Sequence, residues 1–169
     1  MSFYSALAPL TALACTEALR RYGFAESQVM WPQTVAIHEV AIVSVTARGG
    51  YDDDGIYAEL TCVVSELALA DDFKSRMHEI YEAIAQRIES YSRSIEAGTS
   101  VAGPFAQFLN DYFDVLALVD EQVVATNRQG QLAAAGRLAG MDVWGHVLIV
   151  DDKGQEHAVS SEQVVVSRS

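Results

Sequence analysis

Lysine is nearly missing from this chain: its 169 residues hold two, Lys74 and Lys153, and 11 Lys and Arg together stand against 23 Asp and Glu. The net charge of −12 argues against nucleic acid and anionic membrane surfaces as partners, because both demand clustered cationic side chains. Cysteine is as scarce. Cys15 and Cys62 fall in apolar contexts, one on an expected helix and one on an expected strand, so two buried free thiols are expected rather than a disulfide. No apolar run approaches the roughly 18 residues of a membrane-crossing helix. The opening Met1-Ser2-Phe3-Tyr4-Ser5 has no basic leader region. A cytoplasmic protein is the expectation. No Gly-x-Ser-x-Gly elbow occurs, which sets aside a Ser-His-Asp hydrolase.

What is present suffices for a core. Half of the residues are apolar, and the length fits one large domain or one of roughly 100 residues plus a small one. Leu7, Leu10, Ala14, Ala18 and Tyr22 recur at helical spacing, which predicts a helix over Ala6–Tyr22 with Gly23 as its stop and a solvated face of Glu17, Arg20 and Arg21. Val29–Trp31 reads as a short strand ended by Pro32, which has no N–H for a ladder. The β-branched run from Ile37 to Ala47 reads as one strand, Gly49–Gly55 as a turn, and Ile56–Val64 as the returning strand of a hairpin. The acidic Asp52-Asp53-Asp54 lacks the alternating ligands and terminal glutamate of a calcium loop, so a solvated tip and no metal are expected.

Asp71 or Asp72 is placed to cap a long helix carrying Phe73, Met77, Ile80, Tyr81, Ile84, Ile88, Tyr91 and Ile95, ended by Gly98. His78 reads as a surface residue of that helix, with no second ligand one turn away. Thr99–Pro104 is a loop, and a further helix is expected from about Phe105 to Leu116. From Asp120 the composition changes. Val123–Thr126, Leu132–Leu138, His146–Val150, Glu156–Val159 and Val164–Ser167 read as short strands. The turns between them centre on Asn127–Gly130, Met141–Gly145 and Asp151–Gly154. Five strands spaced this regularly predict a small SH3-like barrel of about 50 residues, with His146 and His157 exposed on it.

This order of elements resembles the second half of the catalytic domain of biotin protein ligases and their C-terminal domain. Met30-Trp31-Pro32-Gln33-Thr34 resembles the family's Lys-Trp-Pro-Asn-Asp. The tail Gly136-Arg137-Leu138-Ala139-Gly140-Met141-Asp142-Val143-Trp144-Gly145-His146 resembles the family's glycine, aspartate and glycine turn before a hydrophobic strand, and Val159–Val164 resembles its ending. The resemblance implies an α+β fold. It consists of a truncated ligase-like mixed or antiparallel sheet with packed helices over residues 1–117, and a small SH3-like β barrel over 118–169.

Biotin and ATP are the ligands the resemblance implies, with transfer of biotin to a carrier lysine. The residues depart from that chemistry. Phosphates need cationic neutralisation, and the chain holds no Gly-Arg-Gly-Arg stretch. The family's first lysine is Met30 here, and its second falls near His38-Glu39, where Glu39 brings the wrong sign of charge. Ile42 fills the place of a glycine, and Ala58–Val63 lacks the family's strand glycines. Lys74 and Lys153 lie on the long helix and in a barrel turn. No catalytic residue and no cofactor of the chain's own are therefore expected. Trp31, Gln33 and Thr34 mark the wall of any remaining ligand pocket. Two functional expectations follow: an inactive, ligase-like binding or interaction protein, or one subunit of a split biotin or lipoate ligase. A second copy of the chain or a complementary ligase fragment would be the partner.

Overall fold

A computed structural model describes residues 3–53, 55–65, 75–97 and 102–169. The expected cap Asp71 or Asp72, Phe73, Lys74, Asp54, the stop at Gly98 and the loop residues 99–101 lie outside these. After a 3-10 turn (Phe3–Ala6) come helix α1 (Leu7–Arg21) and strands β1 (Ser27–Met30), β2 (Thr34–Ile37), β3 (Val40–Asp52) and β4 (Gly55–Val64). Helices α2 (Met77–Glu96) and α3 (Leu109–Val115) lead to β5 (Gln122–Asn127), β6 (Leu132–Met141), β7 (Val147–Val150), β8 (Glu156–Val159) and β9 (Val164–Arg168).

Helix α1 lies between the first sheet and α2, and small apolar residues let it be covered on both sides. Leu10, Leu13 and Leu19 are fully buried, each stabilising the fold by roughly 1.5–3 kcal/mol. Thr11 and Thr16 are buried as well, and their hydroxyls donate to the carbonyls of Leu7 and Ala12 one turn back, which leaves no unsatisfied polar group. The expected solvated face is therefore mostly covered, and of Glu17, Arg20 and Arg21 Arg21 alone is exposed. Arg20 donates from Nε to the Ser27 carbonyl at 2.8 Å. Arg87 of α2 reaches Glu17 of α1 at 3.6 Å and pairs with Asp111 of α3, tying the three helices together. On α2, Ile80, Ile84 and Tyr91 are buried against α1, whereas Tyr81 points outward and His78 is an exposed residue paired with Glu82.

The first sheet has the order β1-β2-β3-β4, antiparallel throughout. The expected single strand from Ile37 to Ala47 is two strands. His38 and Glu39 form a two-residue turn with φ of 50° and 62°, the backbone of a tight I′-type hairpin, although neither residue is the Asn or Gly that usually announces one. At the far end, β3 pairs with β4 as far as Asp52 opposite Gly55, so Gly49–Asp52 belongs to the strand and not to the turn. Tyr57 lies over Gly50, where a Cβ would come within 2.3 Å of its ring; the aromatic fills the space the glycine leaves.

The C-terminal strands form a second antiparallel sheet of order β8-β7-β6-β5-β9, in which the last strand returns to the first. Its five strands lie where the small SH3-like barrel is expected, and no ladder joins β8 to β9. Val123, Ala125, Leu138, Val147, Ile149 and Val166 face its core. One turn design occurs three times. Asn127, Asp142 and Asp151 each accept two backbone N–H bonds on Oδ1, from the residues two and four positions on. Each is followed three residues later by a glycine at φ of 77°, 88° and 77°. This is a type I turn closed by a left-handed residue, the common three-residue hairpin loop.

Candidate functional site

The loop between β1 and β2 is Trp31-Pro32-Gln33, closed by the pair Met30 and Thr34, with a cis Trp31–Pro32 bond. Two long-range hydrogen bonds fix it. The Trp31 indole Nε1 donates to the Gly145 carbonyl at 3.1 Å, and the Tyr112 hydroxyl donates to the Pro32 carbonyl at 2.6 Å. Tyr112 is fully buried, and desolvation pushes its phenol far above the usual range, so it acts as a donor. Phe105, Phe108, Tyr112 and Tyr91 form a ring cluster behind the loop with centroid separations of 5.1 to 6.4 Å. Gly145 sits directly on this cluster. A Cβ there would lie 2.5 Å from the Phe105 ring, so the close approach requires glycine.

Pro32 and Gln33 form one wall of a cleft of about 50 Å³. Trp144, Gly145, His146 and the segment Ser160-Ser161-Glu162 line the opposite wall, with Pro9 and Phe105 beneath. His146 is half-buried rather than exposed, and its Nδ1 meets Asp142 Oδ2 at 2.8 Å. Desolvation raises the Asp142 carboxyl, but bonds from the His146 amide and ring and the Trp144 amide outweigh it and hold the group below its usual value. His157 is likewise half-buried against Asp151 at 3.1 Å. Among the described residues no Lys or Arg lines the cleft, and Glu162 is the carboxylate that does.

Of the residues expected to mark a ligand wall, Gln33 lines this cleft and Trp31 braces it through Gly145. Thr34 stands apart: it heads β2 opposite Ser44, outside the cleft lining. Trp144, His146, Asp142 and Glu162 were missed as site residues, although Asp142-x-x-Gly145-His146 announces the turn that presents the first three. Met30 occupies the position before the tryptophan, half-exposed. His38 and Glu39 sit at a hairpin tip, paired with Glu26 at 3.1 Å and with Arg168 at 2.6 Å. Ile42 is buried in the core. Among the described residues no cluster of three or more His, Cys, Asp or Glu could hold a metal, and no helix is long and apolar enough to cross a membrane.

No protein-family model matches the sequence, and no curated protein matches it. Solved structures do. The chain is similar to the apo biotin protein ligase of Aquifex aeolicus at 16% identity and a TM-score of 0.68, covering 96% of this chain and 75% of the ligase. It is similar to the same ligase in complex with biotin and ATP at 17% identity and 0.69, covering 96% and 71%. A further crystal structure of that ligase gives 17% and 0.66, covering 96% and 74%. The expected resemblance is thus shown at the level of architecture: across nearly its whole length this chain has the fold of biotin protein ligases.

Proposed function

We propose that this chain is a biotin protein ligase-like protein that does not itself activate biotin and serves as a binding or interaction protein. One observation carries the reading: among the described residues no Lys or Arg lines the cleft at the Trp-Pro loop, and Glu162 does. The Aquifex ligase of this fold takes biotin and ATP. A triphosphate brought against an uncompensated carboxylate in a chain of net charge −12 meets repulsion where transition-state charge needs neutralising. A cleft of about 50 Å³ is also far below the roughly 300–1,000 Å³ of a site that encloses a cofactor.

The test is biotin-dependent release of pyrophosphate from ATP by the purified chain, paired with calorimetric titration of biotin and of a non-hydrolysable biotinyl-adenylate analogue. No release is expected, and turnover above background would overturn the proposal. Saturable heat without turnover identifies the bound ligand. A second reading, a subunit of a split ligase, is favoured by β4, which stands at the edge of its sheet with one neighbour among the described strands. Turnover that appears only on adding a chain with a Gly-Arg-rich loop would support it.

A further inference from the structure

We propose that the cleft between the Trp-Pro loop and the C-terminal sheet binds a small organic cation, an alkylammonium or quaternary ammonium head group. The inference concerns a different ligand from biotin and does not require any biotin chemistry. Aromatic and apolar surface comes first. Trp144 is 44% exposed and lines a cleft with Phe105, Pro9 and Pro32, and an accessible indole attracts cations through its quadrupole.

Charge points the same way. Among the described residues no Lys or Arg pairs with Glu162, and none lines the cleft. An anion would meet this carboxylate, whereas a cation is attracted to it. Polar groups complete the site. His146 is tied through Nδ1 to Asp142 at 2.8 Å, which fixes its ring at the cleft wall. Gln33 and Ser161 add further polar groups to the walls. Size also fits: about 50 Å³ exceeds the space of a single water and suits a compact head group.

The test is NMR titration of the full chain with choline and, in parallel, with 3,3-dimethyl-1-butanol, which has the same shape without the charge. The Trp144 indole N–H and the Gly145 and His146 amides report on the cleft. Saturable shifts are expected with choline at about millimolar concentration, and none with the neutral alcohol. Glu162→Gln should weaken choline about tenfold, and Trp144→Ala should abolish the Gly145 and His146 shifts. Both residues are exposed, and an unchanged amide pattern elsewhere establishes that the variants fold. No shift up to about 50 mM choline, equal response to the two ligands, or unaltered affinity in Glu162→Gln would each overturn the proposal. These outcomes leave the reading above untouched, since pyrophosphate release is a separate measurement.

Discussion

The two sheets of this protein make their hairpins by different means. In the C-terminal sheet, Asn127, Asp142 and Asp151 fold their own turns, each side chain capturing two amides within four residues. In the N-terminal sheet, the loop Trp31-Pro32-Gln33 is held by Gly145 and Tyr112, 114 and 80 residues away in sequence. The turn at His38-Glu39 takes positive φ without glycine, and Arg168 reaches Glu39 from the last strand. Turns whose hydrogen bonds are local are legible and self-sufficient, whereas turns braced from a distance depend on the rest of the molecule.

The largest test of this contrast is Gly136→Ala. Gly136 has φ of 154°, and a Cβ there would lie 2.2 Å from the Val150 carbonyl oxygen, backbone that cannot rotate away. A loss of about 3 kcal/mol is expected in denaturant unfolding, because local turns cannot rescue a clash inside the sheet. Trp31→Phe comes next. Removing the indole donor leaves the Gly145 carbonyl without its partner and should cost about 1 kcal/mol. It should also raise hydrogen exchange at the Trp-Pro loop while sparing the amides of the three Asx turns. Equal exchange at both places would break the comparison.

The smallest effect is expected from His38→Asn combined with Glu39→Gly, which installs the residues that an I′ turn favours. The relief of two left-handed side chains contributes about 0.5–1 kcal/mol, offset by loss of an exposed Glu39–Arg168 pair worth less than about 1 kcal/mol. A change within about 0.5 kcal/mol of zero sharpens the comparison, while a larger loss would show that Arg168 holds this turn more firmly than a surface pair does.

How much was legible follows the same division. Glu156–Val159 was read to the residue, and β5, β6, β7 and β9 to within a few residues, because alternation and Asx-glycine turns are local signals. Helix α1 was also read to within one residue at each end, with Gly23 at φ 99° beyond it. Its covered polar face was not, since periodicity cannot show that α2 packs against the second side. Strand β2 was not set apart, its last residue Ile37 being read into the strand that follows, because His38-Glu39 carries no turn residue. The candidate site was half legible: Trp31 and Gln33 stood out, while Trp144, His146 and Glu162 come from sequence more than 100 residues away.

By itself the sequence determined helix α1, most strands of the C-terminal sheet, the acidic charge and the scarcity of lysine, since each is a property of residues close together or simply counted. Only the tertiary structure decided that the Trp-Pro loop meets the Asp142 turn, that Glu39 is engaged by Arg168, and that a carboxylate and an exposed indole share one cleft. Those are contacts between segments with no local signal for one another, and close packing of two sheets around a common aromatic cluster is what brings them together.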